Sequence, residues 1–108
     1  MPMLPEYCGA AFAHETLTVS NAVKVLTAAT YEPTGELSLQ VKPRAVLITV
    51  HAQPIRYTFN GTNPVAATTG HYAAAGVEIF VSGYQNIKNF KAIRDGGTDA
   101  SIGVTYFK

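Results

Sequence analysis

The sequence predicts an all-β protein built as an antiparallel sandwich. Three observations carry this. Short runs of alternating apolar and polar residues recur along the chain, as in strands with one buried side. Thr, Val and Tyr are abundant and suit a pleated, half-buried surface. Glycines and prolines punctuate the runs, and no segment has a firm helical period. Seven or eight short strands on this pattern indicate a sandwich or small barrel, and an immunoglobulin-like or jelly-roll-like sandwich is the expected form.

The elements follow in order. Residues 1–14 have two prolines and no period, and read as an extended N-terminal arm ahead of a single domain at 15–108. Met3, Leu4, Tyr7 and Phe12 are rather apolar for a solvated tail. The arm is therefore either a loosely ordered terminus or an element that packs on a neighbouring subunit. "ETLTVS" places Leu17 and Val19 on one face and Thr16 and Thr18 on the other. "NAVKVLTAATYEP" is ambiguous between strand and helical turn; its Thr and Val favour strand or irregular structure. "EPTGE" reads as a turn leading into a strand at "ELSLQVK".

"RAVLITVH" is apolar on both faces, which predicts a central strand covered on both sides. "PIRYTF" follows after a short connection and is expected to pair with it antiparallel. "VEIFVS", "NFKAIRD" and "ASIGVTYFK" continue the alternation, and "DGGTD" reads as a hairpin turn.

A chain of 108 residues holds one domain with a modest core, so it folds without metal or disulfide. Only 14% of residues are charged and the net charge is +1, so the electrostatic footprint of a nucleic-acid binder is missing. No apolar run approaches a membrane span, and the N-terminus does not read as a secretory signal. The single cysteine, Cys8, leaves no internal disulfide framework and has no nearby His or Asn to make it a nucleophile.

The stretch "PIRYTFNGTNP" carries the sharpest local signal. Asn60-Gly61 is the dipeptide of a tight turn. Pro64 cannot donate to a ladder, and Asn63 before it is pushed toward extended geometry. The chain is expected to turn at Asn60-Gly61 and leave the sheet in a loop running to Gly70. The small side chains of that loop suit close approach to its own sheet, a neighbouring subunit or a ligand. Asn60, Gly61, Thr62, Asn63, His71 and Tyr72 are the candidate loop contacts.

No catalytic constellation is expected. The acids are spread singly, whereas a glycosidase needs two facing carboxylates. His14, His51 and His71 lack the spacing of a metal pair on one element, so neither a metal nor another cofactor is expected. Arg56 and Arg94 lie in otherwise apolar strands. Each either pairs across strands with an acid such as Glu78 or Asp95, or serves a subunit interface. Tyr57, Tyr72, Tyr84 and Tyr106 suit core, interface or sugar stacking.

Residues 43–107 resemble the small β-rich virion structural proteins of tailed bacteriophages. The likeness rests on "PIRYTFNGTNP", the following "GH", "AAG" before a strand, "FKAIRDGGTDA" and the terminal "VTYF", in that order. It implies a non-enzymatic particle component, such as a capsid decoration or cement protein. Its implied partners are other virion proteins, the major capsid protein or a neck or tail protein. Met3, Leu4, Tyr7, Phe12, Arg56 and Arg94 would then be interface residues, in a homo-oligomer such as a trimer. The expected location is the virion, assembled in the host bacterial cytoplasm, with no nucleic-acid or membrane partner. "YTFNGTNP" followed by "FKAI" also resembles immunoglobulin-like modules of bacterial glycoside hydrolases, which usually carry Asp where this chain has Asn60. That second resemblance implies a carbohydrate-binding or adhesion module, with Tyr57, Tyr72 and Tyr84 as the candidate sugar platform.

Overall fold

The computed structural model describes residues 10–31 and 43–108. The expected turn at "EPTGE" and strand at "ELSLQVK" lie outside the described residues, as do Met3, Leu4, Tyr7 and Cys8. Among the described residues, the strands are β1 (Ala11–Val19), β2 (Lys24–Val25), β3 (Ala45–His51), β4 (Ile55–Thr58), β5 (His71–Ala73), β6 (Glu78–Ser82), β7 (Lys91–Arg94) and β8 (Ala100–Phe107). They form two four-stranded sheets, β1-β8-β3-β6 and β2-β7-β4-β5. All pairings are antiparallel. The protein is an all-β sandwich, as the alternation predicts.

The inner faces are those read from the sequence. Val46, Ile48 and Val50 of β3 and Ile102, Val104 and Tyr106 of β8 are fully buried. They meet Ile55, Ala73 and Ala92 of the second sheet in one hydrophobic cluster with Phe90 and Ile87. Each buried Val or Ile contributes roughly 1.5–3 kcal/mol of transfer free energy.

Several expectations are corrected. β3 is an inner strand, flanked by β8 and β6, but only one of its faces is fully covered; Leu47 and Thr49 are half-exposed. β3 and β4 do not pair. Both edges of β3 are already hydrogen-bonded, to β6 and β8. The link at Ala52–Pro54 takes the chain to the opposite sheet, through a positive φ of 71° at Ala52. Likewise "DGGTD" is not a hairpin turn: it carries the chain from β7 in one sheet to β8 in the other. β1 begins at Ala11 rather than Glu15, with an irregularity in register between Ala11 and Ala13.

The ambiguous stretch after β1 contains β2 and a single helical turn, α1 (Ala28–Tyr31). A second short helix, α2 (Tyr84–Lys88), follows β6 and buries Ile87. Gly83 starts α2 with φ 98°, and its N–H donates to the carbonyl of Arg44 at 2.7 Å.

Glu15 ties α1 to the sandwich. Its carboxylate accepts from the Thr27 N–H at 3.2 Å and from the Tyr106 hydroxyl, with the Thr30 hydroxyl at 3.5 Å. Burial, followed by the hydrogen bond and charge of Glu15, holds the Tyr106 phenol far above its ordinary pKa. Burial also raises Tyr57. Tyr106 therefore stays protonated in the fold when the unfolded chain ionises. Its contribution to stability is full below about pH 10 and falls as pH rises above that, by about 1.4 kcal/mol per unit. Denaturant melts from pH 8 to 12 should show this loss, and Tyr106→Phe should flatten the slope.

Candidate functional site

The loop between β4 and β5 folds back on its own sheet. Phe59 continues the strand direction, and the chain then turns at Asn60-Gly61. The Asn60 side-chain oxygen accepts from the Thr62 N–H at 3.1 Å, and Gly61 has φ 89°. The Thr58 hydroxyl donates to the Thr62 carbonyl. Pro64 is fully buried and anchors the loop. Beyond it, Val65 and Thr69 form a small antiparallel bridge, closed by Ala67 at φ 66°. Gly70 then returns the chain to β5, which pairs with β4 through Tyr57↔His71 and Arg56↔Tyr72. The predicted departure from the sheet up to Gly70 is thus what the structure contains.

Residues distant in sequence brace this loop. Lys91 Nζ donates to Asn63 Oδ1 at 2.8 Å. Asp95 Oδ1 accepts from the Ala67 N–H and from Arg56 Nε, the latter at 3.2 Å. Arg56 also donates to the Gly70 carbonyl at 3.2 Å and lies 5.5 Å from the centre of the Tyr72 ring. Arg56 and Asp95 are thus a loop brace as well as a cross-strand pair. Replacing Asp95 with alanine should cost about 1–3 kcal/mol, since it removes two acceptor contacts in a half-buried place. Amide exchange at Ala67 should rise while exchange in β3 and β8 changes little.

Among the described residues, the predicted site residues do not form one patch. Arg94 lies opposite Ile55 in the β4–β7 ladder, whereas Arg56 lies opposite Ile93, so the two arginines take opposite faces. Arg94 pairs with Asp99 at 2.7 Å. Phe12 is half-buried against Tyr106, with ring centres 6.4 Å apart. The three tyrosines proposed for a sugar platform are also dispersed. Tyr57 stacks on Phe90 at 5.7 Å, Tyr72 points to the opposite face, and Tyr84 sits on α2 beside Lys88.

Sequence reasoning missed Phe59. It is 38% exposed and its ring is 5.8 Å from that of His71, nearly parallel at 14°. Both rings adjoin Tyr57, at 6.4 Å and 5.4 Å. A groove of about 360 Å³ runs beside them, lined by Thr58, Phe59, Asn60, Thr62, Gly70 and His71. The signal was present: Phe59 extends the Ile55–Tyr57 alternation into the turn.

The structure also brings together two histidines that share no local motif. His14 Nδ1 is 2.9 Å from the Thr105 hydroxyl, and His51 Nε2 is 2.9 Å from that of Thr49. Both rings flank Gly103, where a Cβ would lie 3.7 Å from His14 and 3.5 Å from His51. No group of three or more metal-ligating side chains converges among the described residues. Compared with protein-family models, curated proteins and solved structures, the chain matches none.

Proposed function

We propose that this chain is a non-enzymatic structural component of a bacteriophage particle, a capsid decoration or cement protein or another accessory virion protein. The reading rests on the sequence resemblance over residues 43–107. The observation that carries it is the braced loop. That loop is held by Asp95, Lys91 and buried Pro64, yet it and its flanks leave Phe59, Val65 and Tyr72 exposed, the last two at 51% and 55%. Apolar and aromatic groups on a pre-ordered loop lose little entropy on docking.

In this reading the loop meets another virion protein, the major capsid protein or a neck or tail protein. Each interface buries roughly 1,000 Å² or more, and many copies on a lattice add avidity. The N-terminal arm, with Met3, Leu4 and Tyr7, joins copies into a homo-oligomer such as a trimer. The chain resides in the virion, assembled in the host bacterial cytoplasm.

Co-sedimentation with particles purified from the lysate that makes the chain tests the proposal. The wild-type chain should sediment with them, and Val65→Asp should weaken retention about tenfold or more through loss of a buried apolar contact. Equal retention of both forms, or of neither, contradicts docking through this loop.

A further inference from the structure

We propose that the groove beside Phe59 and His71 binds a pyranose ring. The two rings are nearly parallel and stacked at the end of the second sheet, with 5.8 Å between centres. A pyranose has one face of slightly positive C–H groups and a rim of hydroxyls. The electron-rich face of an aromatic ring meets the first. The rim needs several polar groups placed around the aromatic platform.

This groove has both parts. Phe59 is 38% exposed beside the groove, so part of its ring is open to a ligand although Tyr57 and His71 pack against it. Asn60, Thr62 and His71, all with polar side chains, line the same groove. Asn60 Oδ1 accepts from the Thr62 N–H, which fixes the side chain and does not use its NH₂ donors. The volume of about 360 Å³ falls within the range of small-molecule sites. Gly70 forms part of the wall; a Cβ there would lie 3.0 Å from the Tyr57 carbonyl oxygen, so the wall keeps its close backbone approach only with glycine.

The site is also pre-ordered. The turn at 60–62 is held by the Asn60 and Thr58 side chains, and Phe59 and His71 rest on Tyr57, which rests on Phe90. A pre-ordered platform binds without first losing loop entropy. A single ring over one exposed phenyl gives a dissociation constant on the order of 1–10 mM.

The test is a two-dimensional NMR titration of the full chain with four probes. These are methyl β-galactoside, methyl β-glucoside, methyl α-mannoside and N-acetylglucosamine, each to about 50 mM, several times the expected constant. At least one should give saturable shifts centred on residues 58–62 and 70–71. Phe59→Ala should weaken that binding about tenfold or more. Tyr72→Ala, on the other face, should leave it unchanged. Absence of saturable shifts with all four probes overturns the proposal, as does binding that survives Phe59→Ala. Particle association is a separate measurement. A chain that binds a glycoside but not particles retains this site and loses the structural role proposed above.

Discussion

Replacing Tyr106 with alanine is expected to destabilise the protein by about 3–5 kcal/mol, the usual cost of removing a large buried aromatic. Tyr106 is fully buried in β8 and lies 5.3 Å, ring to ring, from Tyr31 of α1. Its hydroxyl donates to Glu15 of β1. One side chain thus joins the two pieces that flank it, and its loss leaves a cavity and a half-buried carboxylate short of a donor. Tyr106→Phe separates the contributions. It keeps the ring and removes the hydrogen bond, at a cost of about 1–3 kcal/mol. Chemical denaturation of both variants measures the two quantities, and a total of a few kcal/mol is a large share of a small domain's stability. A Tyr106→Ala change smaller than the Tyr106→Phe change would contradict the packing argument.

Gly70→Ala has the second largest expected effect. Gly70 has φ 113°, outside the region L side chains ordinarily adopt. A Cβ there would stand 3.0 Å from the Tyr57 carbonyl oxygen and 3.3 Å from its nitrogen. These are backbone atoms of the neighbouring strand and have little freedom to move. Strain of about 1–3 kcal/mol adds to a steric cost of about 1–3 kcal/mol. The damage should be local: the β4–β5 pairing and the Arg56 bond to the Gly70 carbonyl loosen, while the first sheet holds. Gly61→Ala is the comparison, since a Cβ there meets nothing within 4 Å although φ is 89°. It should cost less, and equal losses at 61 and 70 would show that close approach is not the cause.

The alternation of Val46, Ile48 and Val50, and of Ile102, Val104 and Tyr106, was legible because each strand has one face in a common core. Partner choice was not legible. Alternation assigns faces, but the links at 52–54 and 95–99 each carry the chain between sheets, and a short linker looks the same whether it closes a hairpin or crosses the core. The start of β1 at Ala11 was hidden by the register irregularity beside Phe12, which breaks the period. Within the candidate site, Asn60-Gly61 and Pro64 announced the turn and the departure from the sheet. The bracing was hidden, because Lys91 and Asp95 reach the loop across 28 residues of chain. Tyr57, Tyr72 and Tyr84 looked equivalent in sequence; pleat geometry sends Tyr57 and Tyr72 to opposite faces, and Phe59 takes the exposed place.

The proposed role makes this chain a built-in part of a particle. The most direct measurement is quantitative mass spectrometry of particles purified by density gradient from the lysate in which the chain is made. The chain should be present at a fixed ratio to the major capsid protein or to a neck or tail protein, and should stay with the particle through repeated banding. A chain abundant in the lysate but lost from the banded particles would contradict it.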